Sequence, residues 1–137
     1  MRKDLIIPLY DCMCTVVVTP NFEDAAIEAG YMYDVGDASG VCLHYPDSPS
    51  NFVVIFKDDS ISPGNVAHEA YHLTAKIMYH VGVKYIYDNH EPFAYLHGFI
   101  VDGFTQIINS YEKDKDMGSG SDSAPCSGDL SLGDSKP

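Results

Sequence analysis

Basic residues are scarce in this chain. Eight Lys and Arg stand against 20 Asp and Glu in 137 residues, a formal net charge of −12. A surface that acidic repels phosphate backbones, so no nucleic-acid partner is expected. Long hydrophobic runs are missing too. The apolar N-terminal stretch is interrupted by Asp4, Pro8 and Asp11. No segment reaches the roughly 20 apolar residues that span a bilayer, so no membrane partner is expected. The same interruptions, and the lack of a small-residue cleavage site, make MRKDLIIPLYDCM a poor secretory signal, and the expectation is a cytoplasmic protein. Cysteine is limited to Cys12, Cys14, Cys42 and Cys126. In a reducing compartment these read as thiols and not as a disulfide framework. The rest is ordinary: 45% hydrophobic, 20% charged, and long enough for one core.

Composition shifts near residue 112. Residues 113–137 are dominated by Gly, Ser, Asp and Pro. With almost nothing to bury, they are expected to be a disordered acidic tail. Residues 1–112 hold 15 of the acidic and 5 of the basic groups, so the acidity belongs to the domain. Within it, Asp4–Tyr10 reads as extended and Met13–Thr19 as a β-branched strand. Pro20 then opens a short helix to Ala29, which Gly30 ends. Tyr31–Val35 and Val41–Tyr45 flank GDASG, a hairpin pattern. The near-continuous apolar run Phe52–Lys57 reads as a strand covered on both faces. One long helix begins at Ser62-Pro63 and stops at Gly82. Val83–Tyr87 is a short extended link. A second long helix starts around 89–92 and runs to about Tyr111. The order predicts an α+β fold: a small mixed sheet of short strands packed on two long C-terminal helices plus one short helix.

The first long helix contains His68-Glu69-Ala70-Tyr71-His72, an H-E-x-x-H match. Residues four apart lie about 40° apart on one helical face, so both imidazoles can reach one Zn²⁺. Glu69 lies about 100° round from His68. That is too far for a comfortable third ligand, but suits a base that takes a proton from a zinc-polarised water. The alternative is a helix whose histidines are merely half-buried.

A catalytic zinc needs a third protein ligand and one open position. His80, Asp88, His90, Glu91 and His97 are the candidates. His80 lies at the far end of its helix. In the second long helix, Glu91, Ala94, Tyr95, Gly98 and Asp102 fall within one narrow stripe, whereas His97 points elsewhere. Small residues at Ala94 and Gly98, with Ala75 on the first helix, would let the two helices approach through these faces. The expected metal ligands are therefore His68, His72 and Glu91, with Glu69 catalytic. The competing reading of Glu91 is a carboxylate placed favourably at a helix start. Pro92 also biases Glu91 away from helical angles. On the same stripe, Tyr95 would be placed to donate to a developing oxyanion, or else is simply packed. Asp102 would be a second partner for a ligand histidine, although two turns is a long reach. Tyr71 reads as core or rim. Cys12, Cys14 and Cys42 could share a sheet face as a second zinc or redox site, but buried inert thiols are the better reading.

His68–His72 followed by NHEPFAYLHGFI (89–100) resembles the small zincin-type, metallopeptidase-like proteins of tailed bacteriophages and prophages. IPLYDCMCTVVVTP and FVVIFKD look similar to that group as well, and the likeness covers roughly residues 5–110. The resemblance implies a minimal zincin-like domain with a gluzincin-like ligand set, in which Glu91 matches the ligand glutamate. It also implies that Phe52–Lys57 lines the cleft and pairs with an extended peptide. His90 stands where an acidic residue is more usual.

The expected function is that of a phage-type zinc metallopeptidase acting on a peptide or protein substrate in the bacterial host cytoplasm. Virion association and contacts with other phage proteins are further expectations. The alternative is a non-catalytic, zinc-stabilised assembly or interaction module on the same fold. Glu69 favours catalysis, because a purely structural zinc has no need of it.

Overall fold

The computed structural model describes residues 1–45, 48–84 and 90–118. Four strands and three helices follow in the order β1 (Arg2–Ile7), β2 (Cys12–Thr19), α1 (Phe22–Glu28), β3 (Gly40–His44), β4 (Asn51–Lys57), α2 (Pro63–His80) and α3 (Glu91–Gly118). A 3₁₀ turn, Pro8–Tyr10, separates β1 from β2, and Asp11 closes it in the left-handed region at φ 49°. The fold is α+β, as expected from the element order.

The strands form one mixed sheet in the order β1-β2-β4-β3. β1 and β2 are antiparallel, β2 and β4 parallel, and β4 and β3 antiparallel. A parallel β2–β4 pair needs a crossover, and the chain supplies it through α1. The alternating side chains of the sheet then face two ways. Cys14, Val16, Val18, Phe52, Val54, Phe56 and Cys42 pack under α2 and α3, against Leu73, Ile77, Ile100 and Phe104. Val53 and Ile55 face the other way, against Phe22 and Ala26 of α1. Strand β4 is thus buried on both faces, which is why its sequence is an uninterrupted apolar run.

Helix α2 has the ends its sequence predicts. Ser62 is extended, and its Oγ accepts from the Asn65 N–H at 3.2 Å. Pro63 occupies the first turn, where its missing N–H costs nothing. At the other end Gly82 adopts φ 73°, and Val83 N–H donates to the Met78 carbonyl at 2.9 Å. That is the left-handed stop a glycine allows.

Three expectations change. Only Gly40–His44 of the predicted hairpin is a strand, because its partner is β4 and not Tyr31–Val35. Tyr31 and Val35 instead pack beside α1. Helix α3 continues to Gly118, six residues into the segment expected to be tail. Tyr111 and Lys115, which both reach Asp58 from that end, help hold it. The last change concerns the face by which α3 packs. Phe93, Leu96, Ile100, Phe104 and Ile108 point inward, while Ala94, Tyr95, Gly98 and Asp102 are exposed. The close backbone approach falls at Gly103, where a Cβ would sit 2.7 Å from the Leu5 side chain, and not at Gly98, where nothing lies within 4 Å.

Candidate metal centre

Helix α2 buries Val66, Glu69, Ala70, Leu73, Thr74, Ile77 and Met78. This face turns towards the sheet, which leaves His68 and His72 on the outer side of the helix. The two rings meet there, with Nε2 atoms 3.0 Å apart and centroids 4.6 Å apart. Two imidazoles on a tetrahedral zinc, with bonds of about 2.0–2.1 Å, hold their nitrogens about 3.3 Å apart, so the pair is already near that spacing. Burial, the His68 ring and the Lys76 ammonium each hold the His72 pKa below the usual histidine value. A neutral imidazole is the form that binds metal.

Glu69 sits at the inner edge of this pair and is only 5% exposed. Its Oε2 is buried without a hydrogen-bond partner. Burial raises its carboxyl pKa, and nearby His68 acts to lower it. The side chain lies against edge strand β3: a Cβ on Gly40 would stand 2.8 Å from Glu69 Cγ and 2.9 Å from Oε1. Only glycine at position 40 leaves room for the carboxylate beside the strand. A buried carboxylate oxygen with no protein donor, near enough to His68 to feel its charge, suits a water or metal partner.

Glu91 does not join them. It stands in the first turn of α3 with an exposed side chain, 3.8 Å from His90 Nε2. Among the described residues no group of three or more His, Cys, Asp or Glu comes close enough to hold a metal ion. Asp88, another candidate, lies outside the described residues. The residues in place thus fit the two nitrogen ligands and the base, but do not assemble a third ligand. Tyr95 is 76% exposed and lines an apolar cavity with Ile7, Leu9, Tyr10 and Phe99. Phe93 and His97, each two residues from Tyr95 and so on the opposite side of α3, are the ones that face Tyr71 of α2. The wheel that grouped Glu91 with Tyr95 and Asp102 drew a solvent-facing stripe.

His97 was placed on another face by that wheel, yet it is the histidine that α3 turns towards α2. Its ring stacks on Phe93 at 6.4 Å, and its Nδ1 is buried without a partner. The apolar stripe through Phe93, Ile100 and Phe104 carried that signal. Gly40 had no comparable signal, since nothing local shows which strand will border Glu69. The strand expected to line the cleft is also corrected. β4 lies between β2 and β3 and has no free edge, whereas β3 is the edge strand and borders α2. The three cysteines of the sheet are buried and free.

No protein-family model, curated protein or solved structure matches the chain. No helix among the described residues is long and apolar enough to cross a membrane.

Proposed function

We propose that the protein is a zinc-dependent peptidase whose metal is held by His68 and His72 and whose general base is Glu69. The observation that carries this reading is the juxtaposition of two Nε2 atoms 3.0 Å apart with a buried, unpartnered carboxylate oxygen one residue away. Zinc, when bound, supplies a Lewis acid that polarises a water and a peptide carbonyl. Glu69 accepts the water proton and hands it to the leaving amine, as an acid–base group within reach of both can. Burial suits it to this task, because a carboxylate whose pKa is raised is a stronger base and takes a proton from water more readily than an ordinary one. Glu91 is the proposed third ligand on the strength of the zincin resemblance, and its exposed side chain, beside His90, stands apart from the pair in this structure.

Strand β3 offers a place for substrate. In its register with β4, Ser39 and Tyr45 take part in the ladder bonds, so the odd-numbered residues pair inward. The N–H and C=O groups of Gly40, Cys42 and His44 then point away from β4, to an edge that no described strand pairs with and where an extended peptide can pair.

Zinc content by elemental analysis and hydrolysis of a peptide mixture test the reading together. Wild type and Glu69→Gln should each hold one zinc, with turnover lost at least a hundredfold in the variant. His72→Ala and Glu91→Ala should lose the metal. Full activity in Glu69→Gln would remove the mechanism, and full zinc in Glu91→Ala would remove that ligand. The unassembled third ligand favours a second reading, a zinc-stabilised interaction or phage-assembly module without turnover. Stoichiometric zinc with no hydrolysis of any peptide would support it.

A further inference from the structure

Beyond the histidine pair, helix α2 continues the same stripe. His68, His72, Lys76 and His80 succeed one another at four-residue steps, each about 40° further round. The drift carries the stripe towards β3, which runs beside it from Gly40 at Glu69 to His44 at His80. At this far end His44, Phe52, Lys76, Tyr79 and His80 line an open surface hollow of about 430 Å³. Among the described residues no carboxylate lines it.

Lys76 is partly buried there, and it has no hydrogen-bond or ion-pair partner among the described residues. Four other cations of this fold are matched, Arg2 to the Tyr45 hydroxyl, Lys3 to Ser110, Lys57 to Asp59 and Lys115 to Asp58, while the exposed Lys84 and Lys113 are not matched among the described residues. A half-buried ammonium in this hollow, with no carboxylate partner among the described residues, gives a local positive site in an otherwise acidic chain, where an anionic side chain can be held. His44 Nε2 donates to the Pro49 carbonyl at 2.7 Å, which steadies one wall. His80 lines the other side, its ring centroid 6.5 Å from that of His44. The carbonyls of the last α2 turn do not oppose an anion strongly, because Ile77, Met78 and Tyr79 already accept from Val81, Val83 and Gly82.

We infer that this hollow is a side-chain pocket selecting Asp or Glu in the bound peptide. The inference rests on the peptidase reading for where the chain lies, and it names the substrate class of that site. From Gly40 to His44 is four residues, or about 13 Å of extended chain. The acidic side chain therefore falls three or four residues from the bond beside Glu69.

The test uses full-length, zinc-loaded Glu69→Gln protein and fluorescein-labelled decapeptides of Ala, Ser and Val. One Glu is scanned through the positions, with Gln at the same position as control. Binding is read by fluorescence anisotropy. One or two positions should bind the Glu peptide on the order of tenfold more tightly than the Gln peptide, the scale of a single charge-assisted contact. Lys76→Gln should erase the preference and Lys76→Arg should restore it, with circular dichroism confirming that each variant is folded. Equal binding of Glu and Gln peptides at every position would overturn the inference. So would an unchanged preference in folded Lys76→Gln, or no binding at all. Selective binding without hydrolysis by wild type would keep the pocket and end the peptidase reading. Hydrolysis without acidic preference would do the reverse.

Discussion

At position 69 burial and chemistry work against each other. A carboxylate moved from water into a packed setting favours its neutral form unless a donor or cation meets it. Glu69 has His68 nearby and an unpartnered Oε2, and its pKa is raised. His72 moves the opposite way, since burial and two neighbouring basic groups favour its neutral form. That shift has a sign that can be measured. In zinc-free protein the unfolded chain protonates His72 at its ordinary value of 6.5, while the folded chain holds off to lower pH. The unfolded state then binds more protons, so His72 costs stability as pH falls below 6.5 and costs nothing well above it. Urea unfolding of wild type and His72→Gln at pH 8 and pH 5.5 checks this. Wild type should lose ground to the variant at the lower pH.

Among the elements, α3 is the one whose sequence reads two ways. One stripe is made of a carboxylate, small residues and a tyrosine. The other holds Phe93, Leu96, Ile100, Phe104 and Ile108. The second wins because burying each large apolar side chain is worth about 1.5–3 kcal/mol, whereas close approach through Ala94 and Gly98 would leave those side chains in water. Gly103 makes that choice testable. With Leu5 2.7 Å from where a Cβ would stand, Gly103→Val should overpack the α3–β1 contact and destabilise the fold by about 1–3 kcal/mol. Gly98 faces open space, so Gly98→Ala should stabilise by up to about 1 kcal/mol through helix propensity. Thermal or urea unfolding of the two variants separates the faces: if Gly98→Ala destabilised more than Gly103→Val, α3 would be packed through its other stripe.

For the molecule as a whole, three layers share one central strand. β4 touches α2 and α3 through Phe52, Val54 and Phe56, and α1 through Val53 and Ile55. Cys14 and Cys42 lie on the helix-facing side and are reached by solvent only when those layers part. Burial raises both thiol pKa values, that of Cys42 to about 12. Thiolate chemistry at these positions is therefore suppressed twice, by access and by ionisation. Maleimide should leave Cys14 and Cys42 unlabelled in native protein at pH 7.5 and label both in denaturant, as mapped by mass spectrometry. Rapid native labelling would mean that the sheet and helices separate easily.

Sequence periodicity and end signals were enough for β2, β4 and α2. Each is specified by local chemistry: β-branched runs for the strands, and Ser62, Pro63 and Gly82 for the helix ends. The pairing of His68 with His72 was legible for the same reason, since a single helical turn places them. Glu69's setting was not legible, because it depends on Gly40, 29 positions earlier in the chain, arriving on the edge strand beside it. Nor was the order β1-β2-β4-β3, which makes β3 and not the more apolar β4 the free edge. The rotation of α3, which turns His97 inward and Tyr95 outward, followed from how much apolar surface each face could remove from water. Local spacing settles which side chains share a face. Which face meets which neighbour is settled by packing across the whole chain, and only the tertiary structure carries that.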